Sequence, residues 1–94
     1  MAQEIIKLPN QRSAIEWTSY LATAYAEGFC EGENATIEEA MEAWAVLIKT
    51  KLCYSLQGWF GYQAESLINE GYIDRDGTLD WVYIDTKLKR NIDS

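Results

Sequence analysis

The stretch Thr36–Gly71, TIEEAMEAWAVLIKTKLCYSLQGWFGYQAESLINEG, decides the fold. Thr36-Ile37-Glu38-Glu39 has the form in which a threonine hydroxyl accepts the third helical amide and a glutamate reaches back to the threonine amide. Behind that start, Ile37, Ala40, Met41, Trp44, Leu47, Ile48 and Leu52 recur at helical spacing and form one apolar stripe. A single helix through to Asn69 would have to absorb Thr50, Gly58 and Gly61, all of which lower helix propensity. The economical reading is a break near Thr50–Tyr54. A second helix then carries Leu56, Phe60, Ala64, Leu67 and Ile68 on one face, stops at Gly71, and packs on the first as an antiparallel helical hairpin.

Upstream, Ser13-Ala14-Ile15-Glu16 repeats the capping pattern and predicts a helix from there to about Glu27. Trp17, Tyr20, Leu21, Ala24 and Tyr25 recur at helical spacing along it, with Gly28 as the stop and a loop to Asn34. Before it, Ile5-Ile6-Lys7-Leu8, closed by Pro9-Asn10, reads as an extended arm or a short strand. Downstream the pattern supports two readings. Tyr72-Ile73 and Trp81-Val82-Tyr83-Ile84 flank Asp76-Gly77 as the arms of a β-hairpin would. Trp81, Ile84, Leu88 and Ile92 also fit a helix, with Lys87, Lys89 and Arg90 suited to its C-terminal dipole. The expected fold is therefore mainly α, a small three-helix domain with a C-terminal β-hairpin or fourth helix, an α+β arrangement being the alternative. One domain spans 1–94, divided into an arm (1–12), a helical core (13–71) and the C-terminal segment (72–94).

Composition narrows the function. Ninety-four residues with 48 % hydrophobic side chains and one proline can build a modest core. The formal charge of −7 is spread along the chain and repels phosphate backbones, so direct nucleic-acid binding is disfavoured. The chain has no histidine and no C-x-x-C pair, and no carboxylate pairing suggests acid–base work; no catalytic residue, metal or cofactor is expected. Asp74, Asp76 and Asp80 suggest a calcium loop only superficially, because Asp85 stands where a closing glutamate is needed; they read as turn formers. Cys30 and Cys53 read as reduced thiols in or near the core. Without an apolar run of about 18 residues or a signal-like N-terminus, the expected location is cytoplasmic.

Two constellations remain. Gly58, Gly61 and Ala64 place small residues at spacings of three and predict a notch for close helix packing. Trp17, Trp44 and Phe60 fall on core stripes, whereas Tyr54, Trp59, Tyr62 and Tyr83 fall off theirs. Off-stripe aromatics suit a binding or self-association surface. Trp59, Tyr62, Tyr54 and Glu65 are the partner-binding candidates. Glu38, Glu39 and Glu42, crowded into the first turns of a helix, read as a solvated face favoured by the dipole; an acidic surface imitating a nucleic-acid backbone is the alternative. The helix around Gln63–Asn69 followed by Asp74–Leu79 also has the outline of a recognition helix and wing, although Glu65 and Glu70 are poor groove readers.

At the level of residues, Trp44-x-x-Leu47-Ile48-x-Thr50 followed by Leu56-Gln57-Gly58-x-x-Gly61-x-x-Ala64-x-x-Leu67-Ile68-x-x-Gly71 resembles a family of short uncharacterised bacteriophage proteins. The chain departs from that family's pattern at Lys51, where the family has glycine, and at Tyr62, where it has arginine. The resemblance implies a phage-encoded protein of the host-cell cytoplasm and assigns no activity or site. The expected function is binding to a host or phage protein, inhibiting or redirecting it without catalysis. A winged-helix-like nucleic-acid-binding regulator and an oligomeric module sequestering a nucleotide-like ligand are the alternatives.

Overall fold

The computed structural model describes residues 4–28 and 35–89, and the fold is mainly α. Helix α1 spans Ser19–Glu27, α2 Ile37–Lys49, α3 Gly58–Asn69 and α4 Trp81–Ile84, the last continuing into one π-helical turn, Asp85–Lys89. Among the described residues there are no strands, only the isolated antiparallel bridges Ile6↔Trp17 and Ile73↔Leu79. The loop expected after Gly28, and with it Cys30, lies outside the described residues, as do Arg90 and Ile92.

The start of α1 differs from the sequence reading. Ser13 does not cap a helix: the N-cap is Thr18, whose hydroxyl accepts the Leu21 amide, and the chain from a bend at Ser13 to Trp17 is not helical. The Ile6 amide donates to the Trp17 carbonyl at 2.8 Å. The Ser13 hydroxyl donates to the Glu42 carboxylate while accepting the Ile15 amide at 3.2 Å, which anchors Ser13 to α2 rather than at a helix start. The far end of α1 follows expectation, with Gly28 at φ +77° donating to the Ala24 carbonyl.

In α2 both halves of the Thr36–Glu39 capping box are formed. Every residue from Glu42 to Ile48 is buried, so the helix is covered all round rather than along one stripe. It ends at Thr50, whose hydroxyl bonds back to the Val46 carbonyl. Lys51 at φ +63° then turns the chain into a 3₁₀ turn, Leu52–Tyr54. That is the expected break.

Helix α3 buries Phe60, Ala64 and Leu67. It stops at Gly71, φ +90°, whose amide donates to the Ile68 carbonyl while the Tyr72 amide donates to that of Leu67. These are the two bonds of a Schellman motif. The core is one cluster in which Trp17, Trp44, Leu47, Ile48, Phe60, Ile73, Leu79, Trp81 and Ile84 meet. It joins the extended arm to all four helices.

The C-terminal ambiguity resolves into parts of both readings. The Asp76-Gly77 turn closes, with the Asp74 amide donating to the Thr78 carbonyl at 2.8 Å and the Gly77 amide to that of Asp74 at 2.9 Å, but the pairing stops at one bridge. Asp80 then accepts the Tyr83 amide and starts α4. Helix capping wins because Trp81 and Ile84, on one helical face, both enter the core. The wing outline accordingly reduces to a tight turn.

Candidate functional site

Helix α3 sorts the aromatic residues by face. Trp17, Trp44 and Phe60 are buried, while Tyr62 is 81 % exposed and Tyr54 and Trp59 are each close to half exposed. Trp59 stacks on Phe60 and meets Trp44 edge-on, with centroids 6.1 Å apart. It is thus both surface and support. Tyr62, two residues after the buried Phe60, points its whole ring to solvent.

Gly58 and Gly61 do not form a close helix crossing. A Cβ at Gly58 would meet open space, and one at Gly61 would lie 3.5 Å from the Tyr54 ring and 3.6 Å from the Cys53 carbonyl, ordinary contact distances. Ala64 is the one member of the expected notch that is buried. The spacing is helical, but Gly58 faces open space and Gly61 alone sits against the 3₁₀ turn. What Gly61 permits is the close approach of Tyr54.

That approach builds the polar half of the site. The Tyr54 hydroxyl donates to Glu65, and Arg75 clamps the same carboxylate with two bonds of 3.0 Å. Arg75 first, then Tyr54, holds the Glu65 carboxyl below the ordinary glutamate range, and the bond to Glu65 pushes the Tyr54 phenol up. The cluster's contribution to stability is therefore present above the ordinary glutamate pKa and fades as pH falls through the lowered one. A carboxyl-detected NMR titration should place the Glu65 midpoint below that of an unstructured glutamate, and Arg75→Ala should move it upward; an unchanged midpoint in the variant contradicts the clamp. Beside this cluster, Tyr62, Glu65, Ser66, Asn69 and Glu70 line an open groove of about 320 Å³. Of the four candidates, Tyr54 and Glu65 thus meet in one hydrogen bond, and Tyr62 joins Glu65 only in lining the groove. Trp59 lies on the same helix, tied to the core through Phe60.

Glu42 overturns the expected solvated acidic face. It is completely buried, and its carboxylate accepts from the Arg12 amide at 2.8 Å, the Ser13 amide at 2.9 Å, the Ser13 hydroxyl and the Trp17 indole at 3.1 Å. Glu38 and Glu39 keep surface roles: Glu38 pairs with Arg12 at 3.0 Å and Glu39 completes the capping box. Arg12 also pairs with Asp85 at 3.2 Å and lies over the Trp81 ring, 4.4 Å from its centroid. Asn10 bonds the Leu79 amide, and its carbonyl accepts the Trp81 indole at 2.7 Å. The segment 10–17 is therefore a strap stitching α2 to the C-terminal turn. No signal near it in the sequence exposes this: Glu42 lies off the Ile37–Met41–Trp44 stripe, on the face of α2 that carries Glu38 and Lys49.

The remaining chemistry-bearing residues have structural partners. Asp76 accepts the Thr78 amide and Asp80 caps α4. Cys53 is a free, buried thiol whose pKa burial pushes up, which makes it a poor nucleophile. Among the described residues no group of three or more Asp, Glu, Cys or His could hold a metal ion. None of their helices is long and apolar enough to cross a membrane.

In comparison with known proteins, the family model described as a domain of unknown function (DUF7417) matches residues 29–86. No curated protein and no solved structure matches the chain. The matched interval takes in α2, the 3₁₀ turn, α3, the Asp76-Gly77 turn and α4. The strap that satisfies Glu42, and α1, lie before it.

Proposed function

We propose that this chain, which belongs to the DUF7417 family, is a non-catalytic interaction module that engages a host or phage protein through the outer face of α3. The observation that carries this reading is Tyr62. A large aromatic side chain 81 % exposed, flanked by Trp59 and by the braced Tyr54–Glu65–Arg75 cluster, is the composition of an interface centre rather than of an idle surface. The acidic charge of −7 favours a protein partner over nucleic acid. The resemblance to short phage proteins supports an origin in a phage genome and, with it, a role in inhibiting or redirecting host machinery.

Tagged protein incubated with nuclease-treated host lysate should retain one predominant protein. Tyr62→Ala, which removes exposed surface without opening the core, should abolish that retention while leaving the melting temperature within a few degrees. Equal retention by the wild type and the variant, or retention only of nuclease-sensitive species, would remove the α3 face from the account.

A further inference from the structure

The groove on α3 also indicates the kind of partner. From Tyr62 to Glu70 it runs along two helical turns, about 12 Å at 1.5 Å per residue, a length matched by roughly four residues of extended chain. Its ends differ in chemistry. Tyr62 offers an open aromatic face, Ser66 and Asn69 offer polar groups along the middle, and Glu70 closes the far end. Arg75 is committed to Glu65 through both nitrogens, so the groove's open charge is that of Glu70. Its one described side-chain contact is a long 3.4 Å bond from the Ser66 hydroxyl.

The molecule already contains a worked case of what such a set of groups holds. At Arg12, an aromatic ring and two carboxylates, Trp81 with Glu38 and Asp85, fix one guanidinium. Cation–aromatic contact and charge-assisted hydrogen bonding act together there. Tyr62 and Glu70 present the same two kinds of group to solvent, spread along a groove rather than around a point.

We infer that the groove docks a short, extended, basic segment of a protein partner, with an arginine or lysine at Glu70 and a residue about three positions along the segment laid over the Tyr62 ring. This inference rests on the reading of α3 as the interaction face and adds the partner's chemistry to it. Charge complementarity selects the occupant. A second copy of the chain would bring another −7 against the first, and an acidic or nucleic-acid partner meets the same repulsion.

The test uses a hexa-arginine peptide, with hexa-glutamate as its opposite, added to ¹⁵N-labelled full-length protein at about 0.15 M salt, where long-range attraction is screened. Saturable amide shifts should concentrate between residues 62 and 70 with hexa-arginine and be absent with hexa-glutamate. Glu70→Gln should weaken binding about threefold to fivefold, as loss of one solvent-exposed charge pair does, and Tyr62→Ala should weaken it at least as much. Glu16→Gln, an exposed acid on the strap, makes the same change in net charge and should have no effect. If Glu16→Gln weakens binding as much as Glu70→Gln, or the shifts scatter over the acidic surface, the groove is not the site. The lysate experiment separates the two levels. A partner lost by Tyr62→Ala but kept in full by Glu70→Gln would leave α3 as the interface and overturn the basic segment; no α3-dependent partner would overturn both.

Discussion

Glu42→Ala is expected to lose roughly 3–5 kcal/mol of stability, a large share of what holds a small domain together. The carboxylate is fully buried and receives donors from three residues of the strap, Arg12, Ser13 and Trp17. Removing it strands two backbone amides, a hydroxyl and an indole N–H away from water. Each buried donor without a partner costs about 1–3 kcal/mol, partly recovered where the strap can loosen and admit solvent. Glu42→Gln keeps the shape and one acceptor oxygen but turns an NH₂ group toward a donor, and should cost less, about 1–3 kcal/mol. Urea unfolding of the three proteins measures the series. The strap account requires the order wild type, Gln, Ala with similar dependence on urea, and an alanine variant within 0.5 kcal/mol of wild type, the range of about 0.5 kcal/mol typical of surface substitutions, would show that Glu42 is not holding it.

Gly77→Ala is expected to cost roughly 2–5 kcal/mol, for two reasons that add. Gly77 sits at φ +86°, where an L side chain is strained by about 1–2 kcal/mol. Its Cβ would stand 2.8 Å from the Lys49 Cβ and 3.0 Å from the Ala45 carbonyl oxygen of α2. One is a backbone atom and the other the first side-chain atom fixed to the helix, with no flexible tip to swing away, so overpacking adds about 1–3 kcal/mol. Gly61→Ala is the matched control. It lies within α3 at ordinary φ with its nearest atom 3.5 Å away, and replacing a helical glycine should be neutral or stabilise by up to about 1 kcal/mol. For a domain of this size each kcal/mol is about 4–8 °C. Melting curves should therefore place Gly77→Ala well below the wild type and Gly61→Ala at or above it, and coincident curves for the two variants would contradict the close packing of the turn on α2.

What could be read from the sequence was whatever depends on neighbours along the chain. The Thr36–Glu39 box, the Gly71 stop, the break after Thr50 and the inward set Phe60, Ala64 and Leu67 each follow from spacings of three or four residues, and each is where it was expected. The exposed Tyr54, Trp59 and Tyr62 were legible for the same reason, as aromatics off the stripe. What failed depends on distant partners. Ser13 has the right local pattern for a cap, yet its amide and hydroxyl both donate to Glu42, 29 residues on, and α1 starts only after Thr18. Glu42 looks like one more first-turn acid because nothing near it in sequence shows the donors that bury it. Gly58 and Gly61 resemble a packing notch until the position of the 3₁₀ turn shows that no helix crosses there. At Asp76-Gly77 the turn was visible, but the competition between extending a hairpin and starting α4 was decided by the burial of Trp81 and Ile84 in a core assembled from the whole chain.

The measurement that reaches the proposed function most directly is site-specific photocrosslinking in host cells, with a photoreactive phenylalanine analogue placed at Tyr62 in one version and at Tyr20 in another. Both positions are exposed, 81 % and 59 %, so accessibility alone does not distinguish them. The α3 interface requires a discrete crosslinked protein from position 62 and none from position 20. Adducts from position 20 alone, or none from position 62 in folded protein, would contradict it.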